Sequence, residues 1–184
     1  MSFLTYYIFS TSFITMGNSQ SILRNAVLLL LMPDNRGNLR LQMTVERRGQ
    51  NGTYGLPGGR IERGEDPFDA AIREFKEETG EPLEHNHLDE KTMAKITVGD
   101  TRFHIAFYNK QCKNKKFSYE QNREISEILF PRLSSLIAVL SSGNHTTTLK
   151  CGKTNLRLRR CMYDALSNEA IVQALKLLLL AYNM

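Results

Sequence analysis

Cysteine is scarce in this chain. Cys112, Cys151 and Cys161 are too few, and odd in number, for a disulfide framework, and no Cys-x-x-Cys pair exists to build a structural zinc site. A sparse, unpaired set suits a reducing environment, so the chain is expected to be cytoplasmic. Proline and glycine are held to 5 and 12 residues, which excludes collagen-like and Pro-rich architecture. Lys and Arg are missing from residues 1–16, so that stretch does not read as a signal peptide. Long apolar runs are missing too. Residues 1–16 are interrupted by Ser and Thr, and residues 171–182 fall short of the ~20 residues that a spanning helix needs, so no membrane span is expected.

What remains is ordinary globular material: 184 residues, 41% hydrophobic and 23% charged. The length fits one domain. Residues 1–22 are expected to form an N-terminal extension that packs poorly or is disordered, and residues 23–184 a single domain with a helical C-terminal part. Within the extension, Met16-Gly17-Asn18-Ser19-Gln20-Ser21 fits the N-myristoylation pattern if translation starts at Met16. Charge is unevenly spread: residues 1–92 are net acidic, and residues 93–184 are net basic within a total of +5. That asymmetry points to cation binding in one half and phosphate binding in the other.

Residues 25–32 read as a buried strand, followed by turn chemistry from Pro33 to Asn38 and an alternating strand over 39–46. Five glycines then mark a loop over 49–59. Strands over 92–98 and 101–108 flank the Gly99-Asp100 hairpin turn. Residues 109–116 read as a basic loop, 126–130 as a short strand, 133–140 as a helix and 141–155 as a long polar loop. Ser167-Asn168-Glu169 opens the last helix. Interspersed strands and helices make the class α/β or mixed α+β.

The segment from Gly59 to Gly80 carries the chemistry. Asp66 is suited to cap a helix, Pro67 to begin it, and Gly80 to end it in the left-handed conformation. Phe68, Ala71, Ile72 and Phe75 form its buried stripe. Glu74, Glu77 and Glu78, at i, i+3 and i+4, gather like charges on another face, which invites a hard divalent cation. Arg73 stands one turn before Glu77 and is placed to hold it.

The same segment resembles the Nudix box, G-x5-E-x7-R-E-U-x-E-E-x-G-U with U a bulky apolar residue. Gly59, Glu65, Arg73, Glu74, Glu77, Glu78 and Gly80 fill all seven fixed positions, and only Glu81, at the last apolar position, departs. A chance match of all seven in one chain is on the order of one in a million at average residue usage. Leu56-Pro57-Gly58-Gly59 resembles the family's lead-in to the box, with Tyr54 at a usual aromatic position. The resemblance implies an α/β/α sandwich around a mixed sheet, and hydrolysis of a nucleoside diphosphate linked to another moiety. It implies Glu74, Glu77 and Glu78, with a backbone oxygen of Gly59, as ligands of Mg²⁺ or Mn²⁺. Arg73 would orient the glutamates, Gly58, Glu65 and Gly80 would shape the box, and Glu74 or the later Glu124 would be the general base. Arg47, Arg48 and Tyr54 would meet the substrate.

Among nucleotide substrates, Pro57-Gly58-Gly59 lacks the Lys that often follows this proline in cap-cleaving members, and no proline lies between Leu83 and Phe130, where ADP-ribose hydrolases usually carry one. Nucleoside triphosphates or dinucleotides are left. Two basic clusters keep RNA as a candidate partner and cap cleavage as an alternative: Lys110, Lys113, Lys115 and Lys116, and then Lys150, Lys153, Arg157, Arg159 and Arg160. A second alternative is a non-catalytic nucleotide- or RNA-binding protein of the same fold, a class that usually loses box glutamates. A homodimer is open through the apolar C-terminal helix.

Overall fold

The computed structural model describes residues 22–46, 53–88, 93–108, 115–116, 123–145, 148–151 and 154–183. Strand β1 (Asn25–Pro33) is its axis. Residues 26–32 are all buried, and the pleat sends Ala26, Leu28, Leu30 and Met32 to one face and Val27, Leu29 and Leu31 to the other. A strand covered on both faces requires such an unbroken apolar run. Asp34 builds the turn that follows, accepting hydrogen bonds from the Arg36 and Asn38 backbone N–H groups and from two nitrogens of Arg40. Burial works against the Asp34 charge, but Arg40 and these donors outweigh it and hold the carboxyl well below the usual range.

Strand β2 (Leu39–Leu41) returns antiparallel to β1. A single strand over 39–46 is not what forms. At Gln42 the backbone changes partners, with Leu41 N–H donating to the Pro131 carbonyl and Gln42 N–H to the Leu30 carbonyl. Strand β3 (Met43–Glu46) then joins a second sheet. Strand β4 (Thr53–Gly55) pairs with β3, and β5 (Gly58–Arg60) crosses back to pair with β1. Strands β6 (Ala94–Val98) and β7 (Thr101–Phe107) form the hairpin around Gly99-Asp100, with β7 parallel to β1. The first sheet is therefore mixed and runs β2-β1-β7-β6, with β5 also on β1.

The second sheet is completed by β8 (Lys115–Lys116), β9 (Ile125–Leu129), β10 (Leu149–Cys151) and β11 (Thr154–Leu158), in the order β10-β11-β4-β3-β9-β8. The polar stretch over 141–155 is thus only partly loop. Leu149 and Cys151 point inward with Lys150 between them, so β10 alternates in the way a half-buried strand must, but over too few residues to stand out.

Helix α1 (Pro67–Thr79) covers one face, packing Phe68, Ala71, Ile72 and Phe75 on Leu28 and Leu30. Burying each of the two phenylalanines stabilises by about 2–3 kcal/mol. The other face is covered by α2 (Leu133–Ser141), α3 (Arg160–Leu166) and α4 (Glu169–Tyr182), through residues that include Leu136, Leu140, Leu166, Ile171 and Leu175. The result is an α/β/α layering. The Asn168 side chain caps α4 by accepting the Ala170 N–H. No single helix among the described residues is long and apolar enough to cross a membrane; α3 and α4 would qualify only as a pair bent by 70°.

One buried polar group stands out beneath α1. His104 on β7 is 2% exposed and lies against the Phe68 ring, with centroids 5.0 Å apart. Among the described residues, neither of its ring nitrogens has a hydrogen-bond partner. Burial, and then the nearby Lys95 and Arg102, push its pKa down to about 4. The folded protein therefore refuses a proton that the unfolded chain accepts near the ordinary value of 6.5. Stability is expected to be full above that value and to fall as the pH drops from 6.5 toward 4. Urea titrations should show this loss, about 1–3 kcal/mol, and His104→Leu should flatten it.

Candidate active site

The loop before α1 is drawn tight onto β1. Gly58 pairs with Val27, and a Cβ at Gly58 would strike the Ala26 carbonyl and the Val27 backbone. At Gly59 the place of a Cβ is taken by the Glu74 carboxylate, which lies against the Gly59 backbone. Only glycine leaves room for both approaches.

Both ends of α1 are capped as the sequence indicates. The Asp66 carboxylate accepts the Phe68 N–H at 2.7 Å, Pro67 opens the helix, and Gly80 closes it at φ 65° with its N–H on the Lys76 carbonyl. The apolar anchor expected at position 81 is instead supplied two residues on by Leu83, which is fully buried in the α1 core. Glu81 itself is only half-buried.

Arg73 is the centre of the polar architecture. Its Nε and Nη2 donate to the two oxygens of Glu65 at 2.9 and 3.1 Å, and Nη2 also donates to the Arg60 carbonyl at 2.8 Å. Its Nη1 donates to Glu74 at 2.9 Å and reaches Glu77 at 3.4 Å. A planar guanidinium matches a carboxylate at two points, a fit that lysine lacks. Arg73 does reach Glu77, as the one-turn spacing suggests, but its shorter bonds are to Glu65 and Glu74, and the one to Glu65 could not be read from helical spacing. Glu65 is thereby locked into the loop, where it also accepts the Glu62 N–H. The Arg73 hydrogen bond outweighs burial and holds the Glu65 carboxyl below its usual range. The same bond, with that to Glu74, raises the already high pKa of Arg73.

The carboxylates differ in setting. Glu74 is drawn inward, with its side chain 18% exposed, whereas the Glu77 side chain is 60% exposed. Glu78 is half-buried one position on. Among the described residues no three acidic, His or Cys side chains converge tightly enough to enclose an ion, so α1 presents an open carboxylate face. The donor set fits a hard divalent cation that keeps waters and substrate oxygens among its ligands: three carboxylates, and a glycine backbone on which one of them already rests. Gly59→Ala tests that contact. It should leave stability within about 1 kcal/mol, because a side-chain tip can yield. Turnover should fall about 10–100-fold as the Glu74 carboxylate is pushed aside, read as kcat beside a urea midpoint.

A groove of about 450 Å³ runs along α1, lined by Asp69, Ile72, Arg73, Lys76, Glu77, Glu84 and His85. Its far wall is clipped to the helix by Lys76–Glu84 and His85–Asp69, at 2.8 and 2.7 Å. His85 thus has a carboxylate partner that sequence spacing did not reveal, one helix turn N-terminal to Arg73.

Other expected residues are placed differently. Tyr54, expected to meet substrate, is 4% exposed in the core, because β4 is flanked by β3 and β11. Burial, with Glu127 nearby, raises its pKa. Phe103 and Phe107, aromatic residues whose sequence setting favours the core over stacking on a base, do pack there: Phe103 is buried and Phe107 stacks on Tyr182. Glu124 is exposed immediately before β9. Arg47, Arg48, Glu120, Cys112, Lys110, Lys113 and Lys153, together with Gly17 and the rest of residues 1–21, lie outside the described residues.

Comparison with known proteins adds an independent finding. The NUDIX domain model matches residues 22–143. No curated protein matches the sequence significantly. Solved structures do match in fold. A Nudix hydrolase from M. smegmatis is 21% identical with a TM-score of 0.55, covering 86% of each chain. A C. elegans Ap4A hydrolase binary complex is 15% identical with a TM-score of 0.54, covering 86% of this chain and 99% of that one. A MutT/nudix family protein from Enterococcus faecalis is 16% identical with a TM-score of 0.52, covering 95% of this chain and 73% of that one.

Proposed function

The chain belongs to the Nudix family, and from that premise we propose that it hydrolyses a phosphoanhydride in a nucleoside diphosphate linked to another moiety, using Mg²⁺ or Mn²⁺. The observation that carries the reading is the joint placement of Gly59, Glu65, Arg73 and Glu74: one guanidinium holds two carboxylates, and one of these rests on the glycine backbone. Glu74, Glu77 and Glu78, with the Gly59 carbonyl, would hold the cation. Bound there, it supplies charge neutralisation for the phosphates and acidifies a water. Arg73 fixes the direction of Glu74, whose carboxylate lies against Gly59. Glu74 is thus preset while Glu77 stays exposed to arriving substrate. Glu74 or Glu124 is the proposed acceptor of the water proton. Nucleoside triphosphates or dinucleotides are the proposed substrates, because the lead-in Pro57-Gly58-Gly59 lacks a following Lys and no proline lies between Leu83 and Phe130.

The test incubates the purified chain with Mg²⁺ or Mn²⁺ and a panel of nucleoside triphosphates, dinucleoside polyphosphates, ADP-ribose, nucleotide sugars and capped RNA, with products read by mass. Cleavage of a triphosphate or dinucleotide that stops on chelation is the expected result. Release of the cap would transfer the assignment to decapping. Nucleotide binding without any turnover would leave a non-catalytic protein of this fold.

A further inference from the structure

Between Glu127 and Asp164 the chain has no acidic residue but six basic ones: Arg132, Lys150, Lys153, Arg157, Arg159 and Arg160. The fold gathers some of these at one place. A cavity of about 180 Å³ opens where β11 meets α3, lined by His145, Arg157, Leu158 and Arg160. Among the described residues no acidic side chain lines it. His145 reaches it from the turn after α2 and is braced edge-on by Tyr163, with centroids 6.4 Å apart. Among the described residues the acidic neighbour of Arg160 is Asp164, 3.9 Å away, with both side chains largely exposed. Such a pair offsets little of the Arg160 charge.

We propose that this cavity is an anion site that takes a phosphate group, carried either by a free polyphosphate chain or by the backbone of a single-stranded nucleic acid. Two arginines and a histidine line a space large enough for several waters, each of which takes about 30 Å³ in the liquid. Two guanidiniums lining one cavity carry the same charge, and a phosphate oxyanion placed there would accept charge-assisted hydrogen bonds from them. Position adds to the argument. Arg157 and Leu158 pair with Thr53 and Tyr54 of β4, and the Arg159 guanidinium between them and Arg160 folds back onto Gly55, filling the space of a Cβ there. The strand that precedes the box is therefore hydrogen-bonded to the strand that lines the basic cavity. The site lies beyond the residues that match the family model and does not depend on turnover at α1.

The experiment uses the full chain in EDTA, so that metal-dependent binding at the carboxylate face is silent. Inorganic tripolyphosphate is titrated while thermal unfolding is followed, and a fluorescent oligouridylate is titrated by anisotropy. Wild type should bind at least one probe, and Arg157→Gln with Arg160→Gln should weaken it about tenfold or more. For the oligonucleotide, the slope of log affinity against log salt should fall by about 1.4 for two lost phosphate contacts. Loss for both probes identifies a polynucleotide track, and loss for tripolyphosphate alone identifies a small polyphosphate ligand. The unliganded melting temperature is the folding control. Should the double variant unfold, Arg160→Glu is read instead, because that side chain is 78% exposed and changing it leaves the core untouched. Failure of wild type to bind either probe, or equal binding by the variants, overturns the proposal. Hydrolysis on the substrate panel is scored separately and can fail or succeed without changing this outcome.

Discussion

Glu77→Gln is expected to cut metal-dependent turnover about 10²–10³-fold while leaving the fold intact. The two halves of that expectation have separate physical grounds. The Glu77 side chain is 60% exposed, and among the described residues its ion-pair partner is Arg73 at 3.4 Å, so no core packing rests on it. An amide keeps the shape and removes the charge, and a cation on the carboxylate face loses a ligand that nothing else replaces. The measurement is kcat and the metal concentration at half-maximal rate, set beside a urea midpoint. A variant that turns over like wild type would remove Glu77 from the site. A variant that unfolds would mean that the glutamate is structural.

Arg73→Ala is expected to damage both stability and activity. The deletion strands Glu65 and Glu74, whose side chains are 17% and 18% exposed, without the guanidinium that now satisfies them. Hydrogen bonds to charged groups contribute about 1.5–3 kcal/mol, so a loss near that range is expected in urea unfolding. Partial exposure places it toward the lower end. Turnover should fall about 10–100-fold, as for groups that act by orienting ligands. Arg73→Lys separates the effects: it keeps the charge and recovers part of the stability, but cannot fork to Glu65 while also reaching Glu74, so turnover stays low. There is also a signature in acid. The Glu65 carboxyl is held below its usual value by Arg73, so its contribution is present above the unfolded value of 4.5 and is lost as the pH falls through the lower folded one. Arg73→Ala should lack that limb of the stability profile.

The helix bearing the carboxylates was legible to the residue, because Asp66, Pro67 and Gly80 act locally and the Phe68–Phe75 stripe repeats at helical spacing. Both hairpins were legible for the same reason, through Asp34 and Gly99. What was not legible depends on contacts between distant segments. Arg73 could be paired with Glu77 by counting one turn, but its stronger bond to Glu65 requires the loop to fold back over the helix. The split at Gln42 depends on which carbonyls wait on either side of it. That Tyr54, offered to the substrate by its place before the box, is buried depends on β11 closing the edge of β4. Strands of three residues such as β10 carry too few alternations to be heard, and α3, at seven residues, has no side-chain cap to announce it.

The parallel pairing of β11 with β4 sets an order of events during synthesis. Thr53 and Arg157 are on the order of a hundred residues apart in the chain yet neighbours in the sheet. Pairings of such separation form late, since a long loop must close before the contact stabilises anything. While the ribosome is still translating the C-terminal quarter, β4 lacks its outer neighbour and its open edge is a template for other chains. The strand just before the glycine lead-in acquires its neighbour only once residues up to Leu158 have emerged. A ribosome stalled after the family-matched segment would therefore display the box residues on a scaffold with one flank missing, a species suited to aggregation more than to catalysis.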